Sequence, residues 1–402
     1  MNWKTKRIQE LGKVITGKTP SINNPDHFGQ EYPFITPTDI SGLHKYTGVE
    51  RYLSEKGLES HKGILLPKNA VCVVCIGATI GKVCVATQPS FSNQQINSII
   101  PFKGESDPNF IYYLALMLKN TLINYAGGSA TPIINKSTFS SIKVLVPELK
   151  EQQQIAAILT AYDDLIETNN QRIVTLEAIA QQIYKEWFVR LRFPNWEHTP
   201  FHHGIPDDWE QITFGEIAKE VKRHIKLKDL RPDSIYVGLE HLPVKSIALQ
   251  NWDNAESINS DKLLFNKNDI LFCKIRPYLH KVALAPVNGS CSSDTIVIKA
   301  IEQRFLPYAL QIAFCDTFID YASLTSKGTK MPRADWGVLK KFPIFKPSDE
   351  LLESFNKISL PILEQINLLT EMNRSFTKTR NLLLPRLISG KLTLKQAEAQ
   401  AI

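Results

Sequence analysis

The chain has 402 residues, 43% hydrophobic and 22% charged, with a formal net charge of +7 from 47 basic and 40 acidic side chains. That composition excludes a disordered, fibrous or membrane-embedded chain and suits a soluble protein of two or three domains. The small positive excess permits nucleic acid as a partner without demanding it.

The N-terminal stretch, with Lys4, Lys6 and Arg7 among its first seven residues, has no apolar core of a signal peptide. Six cysteines are scattered along the chain. Cys72 and Cys75 form a C-x-x-C, but inside the apolar run Ala70–Ile76 a step of three on a strand sends them to opposite faces. With no second pair to complete a zinc site, core packing is expected. A reducing, cytoplasmic setting is the corresponding expectation.

Residues 1–146 carry short apolar runs broken by Gly, Pro and Asn, the pattern of a mixed domain with several strands. Tyr32–Ile35 reads as a strand entering a loop, Ala70–Cys75 as a buried strand, Phe110–Leu118 as a short helix and Gly127–Pro132 as a loop. Residues 147–193 follow a different rule. Ile155, Ile158, Tyr162, Leu165, Asn169, Arg172, Leu176, Ile179 and Ile183 are spaced alternately by 3 and 4, the seam of a coiled coil with two polar interruptions.

A short linker, Phe193–Pro200, leads into residues 194–346, where the programme returns. Leu11-Gly-Lys-Val is echoed by Phe214-Gly-Glu-Ile, Phe34-Ile by Tyr236-Val, Lys68-Asn-Ala-Val by Lys267-Asn-Asp-Ile, and Lys82-Val by Lys281-Val. In residues 347–402 the seam itself recurs exactly 200 positions on, as Phe355, Ile358, Ile362, Gln365, Leu369, Met372, Phe376, Thr379 and Leu383. Pro361 lies within this second helix and predicts a bend or a late start. Long-period duplication of this kind decides the fold. The expectation is an α+β protein of two globular domains, each followed by a long helix. The short connections bring the end of the first helix near the start of the second, so the helices pair as an antiparallel coiled coil about a pseudo-two-fold axis.

Catalytic motifs fail one by one. Gly77-Ala-Thr-Ile-Gly-Lys82 is a residue short of a phosphate loop and is followed by Val83, not by Ser or Thr. Its counterpart, Arg276 to Lys281, keeps the lysine and loses both glycines. Pro206-Asp207 with Glu220-Val-Lys222 matches a degenerate nuclease pattern that the first copy lacks. What persists is polar and basic loop chemistry, and Asn and Gln amides suit adenine edges while Arg and Lys suit guanine and phosphate. The candidate DNA contacts are Lys82, Asn93, Gln94, Gln95 and Lys136 in the first domain. In the second they are Lys274, Arg276, Lys281 and, in the run Ser326–Arg333, Lys327, Lys330 and Arg333. Each alone reads first as a solvated surface group and only second as a base contact, by roughly two to one, and the basic run is the strongest of them.

The segment Pro147-Glu-Leu-Lys-Glu-Gln-Gln-Gln-Ile, then Asn169-Asn-Gln-Arg-Ile, then Ile183-Tyr-Lys-Glu-Trp-Phe188, and finally Leu382-Leu-Leu-Pro-Arg-Leu-Ile-Ser-Gly-Lys391 resemble the specificity subunits of type I restriction–modification enzymes. The resemblance covers nearly the whole chain. It implies two target-recognition domains, 1–146 and 194–346, that read the halves of a split double-stranded DNA site, with the helices setting the gap. It also implies a chain without catalysis or cofactor of its own. Its partners would be two methyltransferase subunits holding S-adenosylmethionine, and restriction subunits, the translocase and endonuclease, using ATP and Mg. The aligned helix ends, Trp187 and Phe188 with Leu387 and Ile388, are the candidate methyltransferase contacts. Two other classes remain open at this stage: a scaffold that never touches nucleic acid, and a self-contained DNA enzyme with an unrecognised site.

Overall fold

The computed structural model describes residues 3–21, 23–40, 45, 48–127, 132–328 and 330–392. The chain divides into two compact units, residues 1–165 with 376–402, and residues 166–375. Each therefore contains one globular domain and a portion of both long helices.

In the first unit a four-stranded antiparallel sheet has the order Gly12–Thr16, Ile96–Pro101, Val71–Val74, Val83–Val85. Its central strand, Val71–Val74, is buried on both faces, which is why it reads as an unbroken apolar run. Val71 and Val73 join one core with the helix Pro108–Met117, while Cys72 and Val74 join another. Cys75 belongs to the first of these cores, so Cys72 and Cys75 do face opposite ways. A second sheet brings Tyr32–Ile35 alongside Phe91–Ser92 in parallel.

The second unit repeats this plan. Its four strands take the order Ala218–Glu220, Thr295–Ala300, Ile270–Cys273, Val282–Leu284, and Ile235–Val237 again pairs in parallel, here with Gly289–Cys291. Turns repeat to the level of single backbone bonds. Asn69 and Asn268 sit at φ 70° and 69°, and each donates its backbone N–H at 2.8 Å to an alanine carbonyl, Ala86 and Ala285 respectively. Asparagine tolerates that left-handed conformation, so the same residue stands at both tight turns.

The long helices run Leu149–Tyr184, continuing in a wider turn over Lys185–Val189, and Asp349–Ile388. They pair antiparallel inside each unit. In the first, Tyr162 meets Phe376, with ring centroids 6.2 Å apart, and Arg380 pairs with Asp163. In the second, Phe188 packs on Phe355 with centroids 4.9 Å apart, while Asn169 bonds Asn373 at the other end of that stretch.

Two expectations about the helices are corrected. The buried seam lies one residue from the expected one over much of its length. Leu159, Ile173, Glu177, Ala180 and Tyr184 are buried, whereas Leu165 and Ile179 are exposed; on the second helix Ser359, Leu363, Ile366 and Asn373 are buried and Ile358 and Met372 exposed. Counting apolar residues misplaced the stripe because small and polar side chains occupy it, and because each helix also packs on its own globular domain. The second helix also begins at Asp349, so the late start is not found, and it continues as one helix through Pro361. Pro361 and Lys357 are both exposed, so the carbonyl that the proline leaves without its donor lies on the water side.

Candidate nucleic-acid interface

The basic residues of the second domain converge through backbone pairing. The run after the helix Asp316–Leu324 folds back on itself: Lys327 and Arg333 exchange reciprocal backbone bonds of 3.1 and 2.9 Å, with Gly328 at φ 104° supplying the reversal. Thr329 lies outside the described residues. This basic turn is seated on the segment that leaves the strand Ile270–Cys273. Arg276 donates its N–H to Pro332 at 2.8 Å, and Ala334 donates to Lys274 at 2.9 Å. Lys274, Arg276, Lys327, Lys330 and Arg333 are thus carried by two bonded pieces of backbone.

One carboxylate sits among them. Asp294 lies 3.4 Å from Arg333, whose side chain is still 56% exposed. The Lys274 amine donates to the Ser293 carbonyl at 2.8 Å, while Arg276, Lys327 and Lys330 are exposed. Five cations on these two segments, with Asp294 beside one of them, give this turn a positive face of the kind that attracts phosphate. Sequence reading missed Asp294, whose only signal is that it aligns with Gln95 of the first copy.

The same seat exists in the first unit with different side chains. Gly77 donates to Pro132 at 3.0 Å and Ile134 to Cys75 at 2.9 Å, the counterparts of the Arg276 and Ala334 bonds. The framework is duplicated, and the side chains projected from it are not. Gly77-to-Lys82 forms the connection between Val71–Val74 and Val83–Val85 and opens no helix, which removes the phosphate-loop reading.

The remaining candidates separate. Gln94 is exposed, its amide oxygen accepting from the Thr19 hydroxyl at 2.6 Å, and Lys136 is exposed at the start of the helix Lys136–Ser141. Lys82 and Gln95 are half-buried. Asn93 is only 8% exposed, and its amide bonds both the backbone N–H and the side chain of Gln95, at 3.1 and 3.0 Å. It shapes the turn, so direct base contact through Asn93 is withdrawn. The Lys281 amine is half-buried and donates to the Leu239 carbonyl at 2.6 Å, which makes it an internal tie. Part of the first-domain loop, residues 128–131, lies outside the described residues.

The helix-end residues are also corrected. Leu387 and Ile388 lie in the core of the first unit and Phe188 in that of the second, against Tyr308 and Trp209. Buried side chains of this kind offer no surface to a partner. Trp187 is half-buried and borders a cleft of about 460 Å³ with Phe193, Trp196 and His198.

Two copies of one α+β domain, each presenting a different loop surface from the same backbone seat and joined by paired long helices, define a duplicated recognition protein. A family model described as the type I restriction modification DNA specificity domain matches residues 1–178. The MjaIX specificity subunit of Methanocaldococcus jannaschii is 28% identical over 98% of this chain and 94% of that one. A chain named for the MjaX specificity subunit of the same organism is 32% identical over 98% and 94%. The crystal structure of the S subunit from M. genitalium superposes with a TM-score of 0.64 over 96% of both chains at 15% identity, a likeness of fold. The protein belongs to the specificity subunits of type I restriction–modification enzymes, the non-catalytic chains that recognise the DNA target. Among the described residues no helix is long and apolar enough to cross a membrane, and no cluster of His, Cys, Asp and Glu is placed to hold a metal.

Proposed function

We propose that the two globular domains each read one half of a split DNA target and that the paired helices fix the number of base pairs between the halves. The observation that carries this reading is the shared backbone seat, Gly77 on Pro132 in one domain and Arg276 on Pro332 in the other, with unlike side chains on each. A common frame with divergent loops is what two readers of different sequences require. The helices contain 36 and 40 residues, or about 54 and 60 Å at 1.5 Å per residue. Half-sites read in successive major grooves lie about 34 Å apart, within such a span.

In the second domain the contacts are assigned to Lys274, Arg276, Lys327, Lys330 and Arg333, and in the first to Gln94, Gln95, Lys82 and Lys136. The chain would act with two methyltransferase subunits that bind S-adenosylmethionine and with restriction subunits that use ATP and Mg. Of the four helix-end residues, Trp187 alone is retained as a methyltransferase contact.

The test is to co-express the chain with the methyltransferase subunit encoded beside it and sequence modified bases across the genome. A two-part motif with a fixed gap is expected. Exchanging residues 1–146 for those of another family member should then change one half of the motif only. An unchanged motif, or one that changes in both halves, would overturn the assignment.

A further inference from the structure

Leu324 is the most exposed large hydrophobic side chain among the described residues, at 86%. It ends the helix Asp316–Leu324, immediately before the basic turn, and nothing about it suggests a frayed tail. The Thr325 hydroxyl donates to the Tyr321 carbonyl at 2.7 Å, the Ser326 hydroxyl to the Ser323 carbonyl at 2.7 Å, and the Thr325 N–H also to Tyr321 at 3.0 Å. These bonds satisfy two of the last four carbonyls of the helix, those of Tyr321 and Ser323, and hold the residue on a fixed backbone. An apolar side chain is therefore presented rigidly to solvent three residues from Lys327.

The first unit does the same. Tyr125 ends the helix Lys119–Tyr125, the helix that precedes the backbone seat there, and is 58% exposed. Both copies thus end this helix, ahead of loops whose side chains differ, in a large exposed side chain. Scattered surface hydrophobics carry no such regularity.

We propose that Leu324 and Tyr125 are wedges that insert at a base step of the bound duplex, partly unstacking it beside the residues that grip the phosphates. The proposal rests on the reading of the adjacent basic turn as a DNA contact. Charge complementarity selects the occupant: Leu324 leads directly into the turn that carries Lys327, Lys330 and Arg333, which would repel a cationic partner while attracting a polyanion. Proteins that deform DNA combine the same two elements, cations on the backbone and an apolar side chain between bases. A wedge also contributes specificity without hydrogen bonds, because steps differ in how readily they open.

The experiment uses the full chain in complex with its methyltransferase subunit, without S-adenosylmethionine, and duplexes bearing the motif found by sequencing. 2-Aminopurine is placed singly through each half-site at positions other than the methylated base. The expected result is a several-fold rise in fluorescence at one step of each half-site. Leu324→Ala should abolish the rise in one half only, Tyr125→Ala in the other, and Leu324→Phe should retain it. The loss of affinity should not change with salt concentration, unlike that of a lysine variant. A complex that binds the duplex but unstacks no step would overturn the wedge and leave the DNA reading standing. A complex that fails to bind the duplex would overturn both. Loss of the methyltransferase subunit on Leu324→Ala would make the residue a protein contact and also overturn the wedge.

Discussion

Asn169 on the first long helix donates its side-chain amide to that of Asn373 on the second at 2.9 Å, and Asn373 in turn donates to Asn170 at 2.9 Å. Asn169 and Asn373 are both buried. A slip of either helix by one turn would leave these amides unpaired in an apolar seam, so the ladder selects one register among several that the flanking Leu and Ile would accept. On the proposed reading, in which the helices space two DNA readers, register is a functional quantity.

Asn373→Ala is therefore expected to cost about 1–3 kcal/mol, the range for an orphaned buried partner. Joint replacement of Asn169 and Asn373 by Leu should recover most of that stability in denaturant unfolding. The doubly substituted protein should nevertheless modify DNA at more than one gap length. A single retained gap would show that register is held elsewhere.

At the basic turn, Lys330→Ala and Arg333→Ala should each weaken binding to the target duplex and lower the slope of log affinity against log salt by about one. Arg333 differs from Lys330 in having Asp294 beside it. Asp294→Asn should accordingly tighten binding, most visibly on non-target DNA, by removing the carboxylate that pairs with Arg333. Titrations at several salt concentrations separate these outcomes, and unaltered binding in both cationic variants would remove the turn from the interface.

Much of this architecture could be read from residue patterns, and what could not has physical causes. Duplication was legible because strands such as Val71–Val74 and Ile270–Cys273 are buried on both faces and admit only apolar residues. The seam was legible in period but not in phase. Ala180, Ser359 and Asn373 are buried along it, small or polar side chains that a search for large apolar residues passes over. Candidate contacts were found by residue type alone, which cannot tell the exposed Lys330 from Lys281, whose amine is held by Leu239. The wedge residues were missed because a lone Leu or Tyr at a helix end carries no motif; only its exposure and its recurrence mark it.

The cysteines should be chemically quiet in the folded protein. Cys72, Cys75, Cys84, Cys273 and Cys291 are buried, and burial pushes the thiols of Cys75 and Cys291 up to about 11 and about 12. Because the thiolate is the reactive form, alkylation at pH 8 should label only Cys315, which is partly exposed, and that slowly, since burial raises its pKa too. Mass spectrometry of the native and denatured protein checks this. Rapid labelling at Cys72 or Cys291 would mean that the central strands open readily.

Glu177 offers a final test of how the second domain is held to its helix. Its carboxylate, buried on the long helix, accepts from the Ser246 hydroxyl at 2.7 Å and from the backbone N–H groups of Ile247 and Ala248 at 2.7 and 3.1 Å. Burial nonetheless raises its pKa above the usual 4.5, because three donors do not fully replace water. In the window from that value up to the raised one, the native state holds a proton that the unfolded chain has released. Stability contributed by Glu177 is thus full below the window and falls as pH rises through it. Glu177→Gln keeps an acceptor and removes the charge, so its unfolding free energy should vary less with pH and match or exceed that of the wild type near neutrality. Glu177→Ala leaves the Ile247 N–H without its acceptor, while Ala248 keeps the Ser246 hydroxyl at 3.2 Å, and should cost about 1–3 kcal/mol at every pH. Equal pH profiles for the wild type and the Gln variant would show that the carboxylate titrates as it does in water.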